Sequence, residues 1–137
     1  MAELLIGQTL SFAGDPLTAG PEAARHSARG GVLIEDGRIL AVGEADDLRR
    51  AHPEARVTDH GQALISAGFV DAHVHYPQTA MIASWGKRLI DWLNSYTFPE
   101  EAKFADPAYA ADIAGRYFDL TLANGTTTVC SYSTIHP

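Results

Sequence analysis

The stretch that most restricts the fold is Gly68-Phe69-Val70-Asp71-Ala72-His73-Val74-His75-Tyr76-Pro77-Gln78. From Phe69 to His75 the residues alternate, so a strand with its period of two places Asp71, His73 and His75 on one face and Val70, Ala72 and Val74 on the other. Apolar packing is expected on one side and chemistry on the other. Pro77 has no amide hydrogen to give to a ladder, so the strand is expected to end at about His75 with both imidazoles at its C-terminal tip. In a parallel α/β barrel that tip is the catalytic end. Six histidines in 137 residues make a His-x-His spacing weak evidence taken alone, and surface or core histidines would explain either one. The apolar strand, the aspartate on the same face and the Ser66-Ala67-Gly68 break before it favour a metal pair.

Upstream, Leu4 to Ala13 reads as a strand, followed by a loop rich in Gly, Pro, Ala and Ser that runs from Gly14 to Gly31. Val32 to Glu35 and Arg38 to Val42 flank Asp36-Gly37, a two-residue connection that favours a type I′ hairpin because both positions take positive φ. Ala45 to His52 is expected to form a short helix stopping before Pro53, and Val57 to Ile65 another strand. Residues 1–66 are thus expected to form a small antiparallel β-sandwich module.

Near Ser66 the pattern passes from strand to helical spacing, which marks a domain boundary, with residues 67–137 forming a first βαβ portion. Leu89, Trp92, Leu93 and Tyr96 follow the helical repeat from a start near Gly86, so they are expected to pack; Trp85 and Trp92 could instead line a flat hydrophobic pocket. Thr97-Phe98-Pro99-Glu100 has capping-box spacing, and Asp106-Pro107 is an N-cap followed by proline at the first helical position. Tyr109, Ile113, Tyr117 and Leu120 give the helix that starts there its buried face, and Asn124-Gly125 ends it. Thr126 to Tyr132 is β-branched and reads as the next strand, parallel to the first with a right-handed crossover. His136 would then lie near His75.

A net charge of −7 with only 10 Lys and Arg argues against nucleic acid and anionic membranes, neither of which could gain from counterion release. Small-molecule chemistry fits better. Met1 to Gly7 has neither the basic region of a signal peptide nor the length of a membrane span, which makes the cytoplasm the default. The single cysteine, Cys130, cannot form an internal disulfide and is expected to be a buried small hydrophobe.

From about Ile65 to Pro137 the chain resembles the amidohydrolase superfamily. Gly68 to His75 is similar to its first barrel strand, while Tyr76-Pro77-Gln78 and Asp91-Trp92-Leu93-Asn94-Ser95-Tyr96-Thr97-Phe98-Pro99-Glu100 resemble the guanine deaminase branch. The resemblance implies the start of a metal-dependent (β/α)8 barrel. His73 and His75 would bind Zn2+, one ion per subunit, joined by later histidines and an aspartate; metal-dependent deamination of guanine would follow, in a cytoplasmic homodimer serving purine catabolism. Gln78 matches a purine-contacting position, and its neighbours His75, Tyr76 and Pro77, with Trp92, would line the same pocket; Asp71 would act as a supporting group and His136 as a possible rim. No catalytic residue is expected within the chain, whose sequence stops after what would be the second barrel strand, so these 137 residues alone are not expected to deaminate guanine. Another superfamily hydrolase acting on a cyclic amidine, or a non-catalytic interaction module, stays open at this point.

Overall fold

Asp36 and Gly37 turn the chain with φ of 50° and 74°, and Glu35 faces Arg38 across the two-residue loop. This is the hairpin expected of Asp-Gly. The computed structural model describes residues 1–86 and 88–136; Lys87, in the region where a helix is expected from about Gly86, and Pro137 lie outside the described residues. The chain divides into two compact units, Met1–Ala67 and Gly68–Pro137.

In the first unit β1 (Glu3–Phe12), β2 (Ala24–Glu35), β3 (Arg38–Glu44) and β4 (Arg56–Ser66) form one sheet in the order β3-β2-β1-β4. A short helix α1 (Pro16–Ala19) lies between β1 and β2. Helix α2 (Ala45–Ala51) carries the chain from one sheet edge to the other. Because that connection crosses the sheet instead of folding back as a hairpin, β4 pairs with β1 in parallel. The sheet is therefore mixed, not wholly antiparallel. Ala2, Leu4, Ile6, Leu33, Ala45 and Ala55 form its core, with Leu48 of α2 packed against them. Acidic Asp46 and Asp47 in the first turn of α2 and basic Arg49 and Arg50 in its last complement the helix dipole.

The expected loop to Gly31 is shorter than its composition suggests. Ala24 to Gly31 lacks apolar alternation, yet it pairs with β1 from Phe12 back to Ile6. Ladder bonds to an existing strand, not side-chain propensity, make it extended. Gly37 shows the opposite case, where local chemistry decides. An alanine there would have to hold a left-handed conformation, so Gly37→Ala is expected to destabilise the first unit by about 1–2 kcal/mol, read as faster amide exchange in β2 and β3.

The second unit begins with β5 (Phe69–His75), which pairs in parallel with β6 (Thr126–Tyr132). Gly68 is required at its start: a Cβ there would come within 2.1 Å of Thr127 Oγ1. After β5 a 3-10 turn covers Tyr76–Met81, with Pro77 fully buried. Helices α3 (Leu89–Trp92), α4 (Phe98–Ala102) and α5 (Pro107–Ala123) follow. Asp106 caps α5 by accepting from the Ala108 amide, and Gly125 exits it at φ 79°. Ile113 and Tyr117 form its buried face, whereas Leu120 is 44% exposed.

Three expectations fail here for identifiable reasons. A π-helical turn, Leu93–Thr97, joins α3 directly to α4, and the Phe98 amide donates to the Leu93 carbonyl. Pro99 has no amide for the Ser95 carbonyl and its ring crowds it, which favours this widening. The helical repeat is thereby broken, so Leu89 and Tyr96 stay exposed while Thr97 is buried. For the same reason Thr97 is no capping box: its backbone is helical and its side chain caps nothing. Cys130 is exposed, not buried, because its face of the two-stranded sheet is uncovered among the described residues.

Candidate functional site

The tip of β5 opens onto a cavity of ≈ 430 Å³, within the usual range for small-molecule sites. Asp71, His73 and His75 line it from the strand, Gln78 from the turn beyond, Trp92 from α3 and Tyr117 from α5. Val74 lines it as well, against the simple alternation. The reason lies in the ladder: Asp71 faces Val129 and Val74 faces Ser131, so β5 spends three residues where β6 spends two. This is a β-bulge, which re-aims side chains and frees an amide from pairing. Asp71 takes up that amide, its Oδ1 accepting from the His73 N–H at 3.1 Å. The opposite, apolar face is not covered among the described residues, and Val70 is 68% exposed.

The imidazoles of His73 and His75 lie with ring centroids 5.4 Å apart, and neither spends a ring nitrogen on a hydrogen bond among the described residues. Neutral imidazole is a borderline donor suited to zinc. As a donor set the pair fits such an ion and supplies two of its ligands; among the described residues no group of three potential ligands is assembled.

Gln78 donates from Nε2 to Glu101 Oε1 at 3.2 Å. A carboxylate only accepts, so this contact fixes which way the amide points and leaves Oε1 and one N–H uncommitted. Trp92 donates its indole N–H to the Ser84 carbonyl at 3.0 Å, pinning the loop that holds Ile82 and Ala83 against the cavity. Its ring, not its polar tip, is left for a ligand. Trp85 is 73% exposed and takes no part. Tyr76 and Pro77 are not cavity-lining residues: Tyr76 packs edge-on to Phe104, behind the turn. His136 does not line the cavity either; it is half-buried and its amide donates to Thr134 Oγ1.

Two contributors escape a reading of the sequence. Tyr132 ends β6 opposite His75 and lies against both imidazoles; only the strand register reveals this. Tyr117 is 5% exposed with its hydroxyl unpartnered among the described residues. Burial, and secondarily the nearby Asp71 carboxylate, push its phenol above the usual range, so it stays neutral beside the site.

In α4 Glu100 is buried and accepts from Lys103 Nζ at 2.6 Å and from the Tyr109 hydroxyl. Burial alone would raise its carboxyl, but these two donors outweigh it and hold it below the ordinary glutamate range. A depressed folded value contributes stability above the unfolded value of about 4.3, lost as pH falls through the lower folded value. Acid unfolding of the second unit, followed by tryptophan fluorescence, is therefore expected to be less steep in Glu100→Gln over that window.

The amidohydrolase family model matches residues 64–137, more than half of the chain. The chain belongs to the amidohydrolase family. Residues 30–55 also match an imidazolonepropionase-like composite domain of bacteria. Guanine deaminase of Escherichia coli K12 is 39% identical over 116 residues, covering 84% of this chain and 26% of that protein. The solved guanine deaminase of Bradyrhizobium japonicum superposes with TM-score 0.92 at 33% identity over 100% of this chain and 30% of its own. A C. acetobutylicum guanine deaminase with bound guanine in the active site gives a TM-score of 0.82 at 29% identity, covering 99% of this chain and 31% of that structure. The chain spans about a quarter of the length of the curated relatives it matches. Its α/β unit is the start of such a barrel, and the described strands form no closed one.

Proposed function

We propose that this chain forms the purine-binding part, and supplies two of the metal ligands, of a zinc-dependent guanine deaminase that hydrolyses guanine to xanthine and ammonia. The observation that carries this reading is the pair of unspent imidazoles facing the same cavity as Gln78 and Trp92. Zinc, when bound, would supply Lewis acidity and a nucleophile at neutral pH. His73 and His75 would hold it as nitrogen donors on a rigid strand, and Asp71 keeps the bulge that aims them. Gln78, oriented by Glu101, meets a base edge that carries both donors and acceptors, while the ring of Trp92 and the apolar side chains beside it keep water from the flat faces of the base. The likeness to a guanine deaminase solved with guanine bound supports the choice of base. We extend the same reading to a cytoplasmic homodimer serving purine catabolism, as the family resemblance implies.

Ammonia release measured with guanine, adenine, cytosine and hydantoin on the complete enzyme tests the proposal. Guanine is expected to be turned over with at least about 100-fold preference in kcat/KM, since an analogue that leaves buried polar groups unpaired is strongly rejected. Preference for any of the other three would reassign the substrate. The 137-residue chain alone, with two of the metal's ligands, is expected to release no ammonia above a control lacking His73 and His75.

A further inference from the structure

Tyr132 is the last residue of β6 and sits across the ladder from His75. Its ring stacks on His75 at 5.0 Å between centroids and 17° between planes, and meets His73 at 4.8 Å and 39°. One aromatic ring therefore bears on both imidazoles at once. This matters because the ring torsion of histidine is broad and soft, and His73 is otherwise exposed. Left to themselves, two imidazoles at a strand tip would sample many relative orientations. Few of those point both nitrogens at one ion.

We propose that Tyr132 is the positioning residue of the metal pair. Its ring face confines His73 and His75 to orientations in which their nitrogens converge, so an ion meets donors already arranged. The ring is what acts. The Tyr132 hydroxyl makes no hydrogen bond among the described residues, and the residue is half exposed at the end of its strand. Its aromatic contacts run to the two imidazoles, which is where a positioning group has to be. This inference rests on the reading of His73 and His75 as metal ligands.

The test is Zn2+ titration by calorimetry of the metal-free 137-residue chain, comparing wild type with Tyr132→Leu and Tyr132→Phe. Leucine keeps apolar bulk but removes the flat face, and is expected to weaken zinc binding about 10-fold, as loss of a supporting group does; phenylalanine is expected to bind as wild type does. Proton spectra of the metal-free chain give a second readout independent of zinc. The His73 and His75 ring protons should carry a ring-current shift that phenylalanine keeps and leucine abolishes, and in wild type they should show cross-relaxation to the Tyr132 ring. That wild-type measurement decides the contact even if Tyr132→Leu fails to fold. Wild-type zinc affinity in Tyr132→Leu, or a loss in Tyr132→Phe as large as in Tyr132→Leu, overturns the positioning role while leaving the histidine pair as ligands. Absence of zinc between His73 and His75 in the complete enzyme overturns the ligand reading itself and this inference with it.

Discussion

Replacing His73 and His75 together by alanine is expected to lower the zinc affinity of the chain by at least about 100-fold, beyond the upper end of what loss of a merely supporting group costs. The reason is the donor count. Among the described residues these are the two imidazoles at the cavity, and neither can be replaced as a donor by Val74, Trp92 or another apolar neighbour. Either single variant should fall between wild type and the double variant. His136→Ala, by contrast, should leave affinity unchanged, because that side chain does not line the cavity. Calorimetric titration checks the four variants against wild type at one pH. A double variant that binds as wild type does would move the metal elsewhere.

The second large effect concerns stability. Leu33 is 1% exposed and packs with Leu4, Ile6 and Ala45 between the sheet and α2. Leu33→Ala removes most of a buried side chain and leaves a cavity, which costs about 2–5 kcal/mol. Against a typical stability of about 5–15 kcal/mol for a domain, that is a large share. Ile39→Ala, at a position 65% exposed, should cost no more than about 0.5 kcal/mol. Both tryptophans, Trp85 and Trp92, lie in the second unit, so fluorescence is blind to this change. Amide exchange of Leu4 and Ile6 in β1 is the suitable measurement, with protection falling strongly in Leu33→Ala and hardly in Ile39→Ala.

What could be read in the sequence was whatever short-range chemistry decides. Asp36-Gly37 needs positive φ wherever it turns. Asp106-Pro107 starts a helix and Asn124-Gly125 ends it because both act within one turn. The tip of β5 at His75 follows from Pro77 in the same way. Features settled between distant segments were not legible. Ala24 to Gly31 is extended only because β1 is there to pair with it. Whether β4 runs with or against β1 depends on where α2 carries the chain. The site divides along the same line. His73, His75 and Gln78 are visible from their own neighbours, whereas the bulge that brings Val74 to the cavity, the grip of Glu101 on Gln78 and the ring of Tyr132 over both imidazoles each need a partner from elsewhere in the chain. Thr97 misled because a capping-box spacing also occurs inside a helix that does not stop.

An ion held between two side chains of β5 is the centre of the proposed chemistry, and diffraction from zinc-loaded crystals on either side of the zinc absorption edge tests it most directly. One anomalous peak is expected about 2.0–2.1 Å from a ring nitrogen of His73 and of His75 alike. Crystals that take up zinc at other positions while this one stays without a peak would contradict it.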